Sequence, residues 1–147
     1  MDLIERVEAA CEYSKQKSDK LGEVFTPRAL IVSMLKSLPA EVWRDSSKRW
    51  WDPCAGKGNF PAVVVTILMK SLRDEFPNRD ERYRHIIENQ IFMSEFQRES
   101  AQVIWDIFSD NGRYNINLFV GDTLSMPEDF FDLSPADRRA KYPENCI

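Results

Sequence analysis

Asp52, Glu95 and Asp122 are the residues of this sequence best placed to hold a small ligand. Each closes a short apolar or alternating run of the kind that forms a β-strand, so each is expected at a strand's C-terminal end. In open α/β sheets those ends form the crevice in which ligands bind. Asp52 also opens the stretch Asp52-Pro53-Cys54-Ala55-Gly56-Lys57-Gly58-Asn59-Phe60, set between an aromatic run and a long apolar segment. That pattern reads as a strand, a tight nucleotide-binding loop and a helix. Gly56 and Gly58 remove side chains where the chain must turn sharply and a ligand must approach the backbone.

The loop narrows the chemistry. It is not a Walker loop, because Lys57 is followed by Gly58 rather than Ser or Thr and no glycine lies upstream at the required spacing. It is a poor dinucleotide fingerprint as well. Asn59-Phe60-Pro61 follows the second glycine, and the next strand-end acid, Glu95, comes later than the roughly 20 residues that fingerprint expects. Asp52 ahead of the loop would repel a pyrophosphate. A ligand with a cationic group suits that carboxylate better.

The elements that must position these residues follow from periodicity and punctuation. Leu3, Ile4, Val7, Ala10, Cys11 and Ser14 recur at helical spacing, predicting a first amphipathic helix that ends within residues 15–20. Thr26 is expected to cap a second helix with Pro27 at its first position, with Leu30, Ile31, Met34, Leu35 and Leu38 on one apolar face and Pro39 as the stop. Residues 48–52 form the first strand, and residues 60–72 a buried helix with Asn59 as its cap. Residues 73–89 contain Pro77 and mixed charges, and read as a turn and a short solvated helix that includes Arg79, Arg82 and Arg84. Residues 91–96 form the second strand. Residues 98–110 form a helix stopped by Asn111-Gly112, and Ile116, Leu118 and Val120 alternate into a third strand ending at Gly121-Asp122. The four tryptophans fall on predicted elements and read as core aromatics, and His85 as a surface histidine.

The composition sets the outer bounds. With 147 residues, 43% of them hydrophobic and 30% charged, the chain suits one globular domain with a real core. A net charge of −4 and a pI near 5.1 give no global attraction to a phosphate backbone. Cys11, Cys54 and Cys146 are scattered, with no Cys-x-x-Cys pair, which disfavours a zinc site or a disulfide framework and favours a reducing compartment. The N-terminus lacks an apolar signal core and the longest apolar run is too short to span a bilayer, so no membrane is expected as a partner. The expected location is the cytoplasm, or a nuclear or viral setting.

Taken together, the motifs resemble those of S-adenosylmethionine-dependent DNA methyltransferases acting on the exocyclic amine of adenine, in particular the type I modification-subunit and Eco57I-like branch. The resemblance runs from Gly22 to about Leu124. Gly22-Glu23-Val24-Phe25-Thr26-Pro27 looks like that branch's N-terminal cofactor motif, and Asp52-Pro53-Cys54-Ala55-Gly56-Lys57-Gly58-Asn59-Phe60 is similar to its Asp-Pro-x-x-Gly-x-Gly-x-Phe loop. Ser94-Glu95-Phe96 stands at the acidic ribose position, and Gly121-Asp122-Thr123-Leu124 resembles the Gly-Asp-Ser/Thr-Leu motif. The resemblance implies a doubly wound, Rossmann-like α/β sheet, incomplete here, with S-adenosylmethionine as cofactor. It implies that Asp52, with the Phe25-Thr26 region and the loop around Cys54, Gly56, Gly58 and Asn59, holds the methionine ammonium and carboxylate. Glu95 would take both ribose hydroxyls, Asp122 the adenine amine with Thr123 and Leu124 beside it, and Phe96 would pack on the adenine ring.

The family's catalytic tetrapeptide, Asn/Asp/Ser-Pro-Pro-Tyr/Phe, has no counterpart in this sequence, so no residue is assigned to catalysis. The chain stops at Cys146-Ile147, about where the fourth strand of such a sheet would begin, and without that strand the Trp50-Trp51 segment becomes an open edge. The expected organisation is a helical lead over residues 1–44, a cofactor-binding core over 45–133, and a polar tail over 134–147 leading toward the catalytic strand. The resemblance therefore implies the cofactor-binding portion of a methyltransferase, a truncated product or half of a split enzyme, reaching DNA through parts outside the chain, with a catalytic or recognition subunit as partner. The competing readings are a non-catalytic cofactor-binding subunit or sensor, and a protein or small-molecule methyltransferase. Pro53-Cys54 resembles the nucleophile dipeptide of cytosine ring-carbon methyltransferases, but it lies in the cofactor loop and reads as a small packing residue.

Overall fold

The computed structural model describes residues 1–17 and 25–147; Gly22, Glu23 and Val24 of the N-terminal motif, and residues 18–20 of the expected end of the first helix, lie outside them. The chain is α/β with a small, open, three-stranded parallel sheet, an arrangement compatible with an incomplete Rossmann-like fold. Helix α1 (Leu3–Lys17) buries Ile4, Val7 and Cys11 of the expected stripe, with Leu3 and Ala10 half-buried. Helix α2 (Arg28–Leu35) leads to β1 (Trp50–Asp52), and the glycine loop then opens α3 (Asn59–Ser71). After α4 (Arg79–His85) and a π-helical turn (Ile86–Gln90) come β2 (Ile91–Glu95), α5 (Arg98–Phe108) and β3 (Asn117–Val120). The last helix, α6, covers Pro135–Lys141.

The strand order is β1-β2-β3, all parallel, with Trp51 opposite Phe92 and Glu95 opposite Val120. Alternation divides the sheet into two faces. Ile91, Met93, Leu118 and Val120 join the core built with α1, α3 and α5. Phe92 and Phe119 point the other way, edge-on to Phe131 and Phe130 at ring-centroid separations of 5.1 and 4.9 Å. Both faces are thus covered, as parallel sheets require. The covering layers are unequal, helices on one side and a compact aromatic cap on the other.

Several expectations need correction. Helix α2 starts at Arg28 with Pro27, not Thr26, at the N-cap position and no side-chain capping bond; an extended Pro27 already fixes the entry angle. The helix also ends at Leu35, short of the expected stop at Pro39, and of the expected apolar face only Ile31 and Leu35 are buried, while Leu30, Met34 and, beyond the helix, Leu38 are exposed, so an eight-residue helix covers the core with one turn-spaced pair. Gly58, not Asn59, caps α3, in a left-handed conformation that a side chain would resist. The segment around α4 is not simply solvated: Arg82 is buried and its Nη1 donates to the carbonyl of Phe76 at 2.7 Å, and Ile86, Ile87 and Gln90 are buried after it. Strand β2 ends at Glu95, leaving Phe96 outside it; β3 starts at Asn117, leaving Ile116 before it and half-buried, and buries Asn117 and Phe119 as well as Leu118 and Val120 because the cap covers the second face.

The segment after residue 134 is polar and mostly exposed, but it is tied into the fold. Arg138 of α6 is buried, its Nε donating to the Phe130 carbonyl at 2.9 Å and its Nη2 to Asn117 Oδ1 and the Phe131 carbonyl, both at 3.0 Å. Arg98 Nη2 reaches the Cys146 carbonyl at 2.9 Å, and a 3-10 turn covers Pro143–Asn145 just before the Cys146-Ile147 pair. Among the tryptophans, Trp43 and Trp50 stack at 4.4 Å, but Trp51 is half exposed at the sheet edge rather than in the core. His85 is half-buried, stacked on Phe76, with Nε2 3.0 Å from the Ser46 carbonyl.

Candidate ligand crevice at the ends of the strands

The crevice begins where β1 ends. Asp52 Oδ1 accepts the N–H of Cys54 at 3.0 Å, an Asx-type turn that bends the chain away from the strand. The Ala55 N–H then donates to the Ser94 carbonyl at 2.9 Å, continuing the sheet ladder past the end of β1. Gly56 (φ 57°) and Gly58 (φ 95°) turn the chain left-handed, and the Gly58 N–H closes onto the Ala55 carbonyl at 2.8 Å. A Cβ on Gly58 would sit 2.5 Å from the Phe108 ring, so that ring of α5 seats against the start of α3 only because the side chain is absent. A Cβ on Gly56 would meet nothing within 4 Å, which leaves room beside the loop. The first N–H groups of α3 have no acceptor within the helix and face this loop end.

The other strand ends converge on the same loop. Glu95, buried at the end of β2, accepts the Gly56 N–H on Oε2 at 2.7 Å and the Gln97 N–H on Oε1 at 2.8 Å. After β3, Asp122 caps a 3-10 turn (Thr123–Ser125) by accepting the Leu124 N–H at 3.0 Å, and Thr123 Oγ1 donates to the Pro53 carbonyl at 2.6 Å. From the N-terminal side, the Phe25 ring lies 5.3 Å from Lys57 Nζ, and Lys57 is itself buried with Nζ 3.4 Å from Ser100 Oγ. Burial raises the carboxyl of Asp52 above the usual aspartate range, against the opposing pull of the Cys54 N–H. A desolvated carboxylate at the mouth of a crevice favours a cationic partner.

The predicted residues are therefore partly gathered. Phe25, Asp52, Cys54, Gly56, Gly58, Glu95 and Thr123 lie in one contact network around the loop. Asn59 faces away toward α1, its Oδ1 taking the Cys11 thiol at 3.7 Å. Thr26 is half-buried beside Phe25, and Cys54 is exposed. Phe96 and Leu124 stand out into solvent, 74% and 96% exposed. Two contributors escaped the sequence reading. Ser94 accepts the Trp51 indole N–H at 3.1 Å and holds the loop through its carbonyl, and Lys57 is interior. A hydroxyl inside an otherwise apolar strand is the signal that could have marked Ser94.

Beside the crevice, β1 is an edge. A groove of about 320 Å³ runs along it, lined by Leu35, Leu38, Trp50, Trp51, Phe60 and Pro61 among others. Among the described residues no His, Cys, Asp and Glu group could hold a metal ion, and no helix is long and apolar enough to cross a membrane. Fold and site define an α/β protein with a glycine-loop crevice at the C-terminal ends of an open parallel sheet. Neither the models of known protein families nor the curated proteins match this chain.

Proposed function

We propose that this chain is the S-adenosylmethionine-binding portion of a methyltransferase acting on the exocyclic amine of adenine in DNA, with the catalytic segment supplied from outside it. The observation that carries the reading is the left-handed glycine loop between β1 and α3, which follows a desolvated Asp52 and is flanked by the ends of β2 and β3. The residues fit the group. Room beside Gly56 admits a ligand against the backbone, the α3 N-terminus suits a carboxylate, and Asp52 suits an ammonium. Asp122 at the end of β3 is exposed and offers an acceptor for an exocyclic amine, with Phe96 free to cover a planar ring.

When bound, the cofactor supplies an electrophilic methyl group, and this chain's contribution is to orient it. DNA and a subunit bearing the catalytic segment are the proposed partners; the open edge of β1 and its apolar groove support the second, since an edge strand is a template for an added one.

Calorimetric titration with S-adenosylmethionine, with NAD and ATP as controls, tests the reading. Selective micromolar binding, roughly −8 kcal/mol, supports it, and Asp52→Ala and Asp122→Ala should each weaken that binding without unfolding the chain. Absence of binding by a folded chain, or wild-type affinity in both variants, rejects the assignment. No methyl transfer by this chain alone is expected, and labelled methyl reaching unmethylated DNA would overturn that part.

A further inference from the structure

We propose that the cavity at the opposite, N-terminal end of the sheet is a binding site for inorganic phosphate or a small phosphate ester, with Arg138 as its interior donor and Arg49 on its rim. The site is separate from the crevice described above and does not rest on the cofactor reading.

The cavity, about 550 Å³, is built from the segments that enter all three strands. Arg49 precedes β1, Glu88 precedes β2 and Asn115 precedes β3, while Phe131 and Arg138 come from the aromatic cap and α6. The glycine loop lies at the other ends of the same strands.

Arg138 is the unusual member. It is only 5% exposed, yet its hydrogen bonds all go to neutral acceptors, from Nε to the Phe130 carbonyl and from Nη2 to Asn117 Oδ1 and the Phe131 carbonyl. Among the described residues no carboxylate pairs with it, and its Nη1 has no partner. Nη1 is not sealed in either, because the buried side-chain atoms left without a partner are Trp50 Nε1, Arg82 Nε and Gln90 Oε1. It therefore reaches open space. Arg138 also borders a smaller recess of about 90 Å³, but Asn117 and Phe131, both partners of the guanidinium, line the larger cavity and not the smaller. A buried cation normally has an anion beside it. Burial pulls the Arg138 guanidinium below its ordinary value without discharging it.

The rest of the lining favours an anion. It carries two arginines against a single carboxylate, and Oε1 of that carboxylate, Glu88, already takes Arg84 Nη1 at 3.2 Å and the Asn115 N–H at 3.1 Å. His85 Nε2 is spent on the Ser46 carbonyl. Arg49 is exposed and has no ion pair among the described residues; its guanidinium lies over the Phe92 ring at 5.2 Å. Phe92 meets Phe131 edge-on, and Arg138 lies over Phe131 at 5.6 Å, so the two guanidiniums rest on the two members of one aromatic pair.

Guanidinium forks match phosphate and carboxylate oxygens. A carboxylate has two coplanar oxygens and serves one fork. A tetrahedral phosphate offers Nη1 an oxygen inside the cavity and turns others toward the rim, where Arg49 stands. Arg138 is too deeply set for the backbone of a DNA duplex, and a chain of net charge −4 does not draw one in, so the ligand is small.

The test is a nuclear magnetic resonance titration of the isotope-labelled chain with sodium phosphate and with phenyl phosphate at neutral pH, against sodium chloride at matched ionic strength. The Arg138 Nε–H and the Asn117 side-chain amide are the reporters. Saturable shifts with both phosphates, and only a linear drift with chloride, are expected. Arg49→Met should weaken the affinity about tenfold, and Arg138→Lys, which keeps the charge but loses the fork, should abolish saturation. Absence of a saturable shift in the folded wild type, or wild-type affinity in Arg49→Met, overturns the proposal. Shifts produced by a DNA duplex but not by either phosphate would reject a small-ligand site. If Arg138→Lys does not fold, the Arg49→Met comparison decides.

Discussion

The hydroxyl of Thr123 donates to the carbonyl of Pro53 across 2.6 Å, joining the turn after β3 to the loop after β1. With the order β1-β2-β3, that bond spans the C-terminal end of the middle strand. Thr123→Val keeps the shape and removes the donor. A net hydrogen bond contributes about 1 kcal/mol, so the expected outcome is a roughly fivefold loss of S-adenosylmethionine affinity, read by calorimetry, with the fold intact by circular dichroism.

The two loop glycines should separate by mechanism. Gly58→Ala meets Phe108 at 2.5 Å and a φ of 95°, and should cost about 2 to 3 kcal/mol of stability. Gly56→Ala meets nothing, and its φ of 57° is tolerable for alanine at a cost of about 1 to 2 kcal/mol. Urea unfolding of the two variants tests the order. Equal destabilisation would mean that the seat of the Phe108 ring against the start of α3 does not depend on the missing side chain.

Asp52 should set a trade between stability and binding. Its folded pKa is raised by burial, so the unfolded chain ionises first as pH climbs through the ordinary aspartate value of about 3.9. The stability that the neutral carboxyl gives below that value is therefore lost as pH rises through the raised folded value. Asp52→Asn can still accept from Cys54 and removes this loss. It should be more stable than wild type at neutral pH, lack that part of the acid-range pH dependence, and bind a cationic ligand less well. Denaturant melts across pH 3 to 8 provide the check.

Arg138 should matter as much as a core residue. Its guanidinium fills acceptors on Asn117, Phe130 and Phe131, and removing it leaves all of them without that donor in the interior. Arg138→Met is expected to cost about 3 kcal/mol, and Arg139→Met, an exposed neighbour, less than about 0.5 kcal/mol. Chemical denaturation of the pair distinguishes an integral cap from a dispensable tail.

The strand, loop and helix around Asp52 were legible because their determinants are local: aromatic residues that favour strands, glycines where φ turns positive, and a long apolar segment after them. That a stop follows α5 was legible for the same reason, but it comes earlier than expected: the helix ends at Phe108, and left-handed φ values begin at Asp110 (52°) and continue through Asn111 (54°) and Gly112 (92°). What stayed hidden depends on residues distant in the chain. Arg138 reads as solvated because nothing nearby in sequence shows that its acceptors come from β3 and from the cap. Arg82 hides for a different reason: its acceptor, the carbonyl of Phe76, is only six positions away, but reaching it depends on the turn at Pro77. The exposure of Leu30 and Met34 follows from how α2 lies against α3, with Ile31 and Leu35 turned inward, which periodicity alone does not specify. Glu95 was placed correctly at its strand end, but the direction of its carboxylate was set by Gly56, a partner 39 positions away.

Trp51 also gives the molecule a built-in optical reporter. Its indole is half in solvent at the open strand, next in sequence to Asp52, whereas Trp43 and Trp50 are stacked and Trp105 is partly buried. Its emission should be the red-shifted, most readily quenched component of the protein's fluorescence. Any strand laid along β1 would shield that ring from a water-soluble quencher, and a ligand confined to the glycine loop would leave the edge wet. Occupancy of the edge and of the crevice can thus be followed separately in the same cuvette, without attaching a label to either.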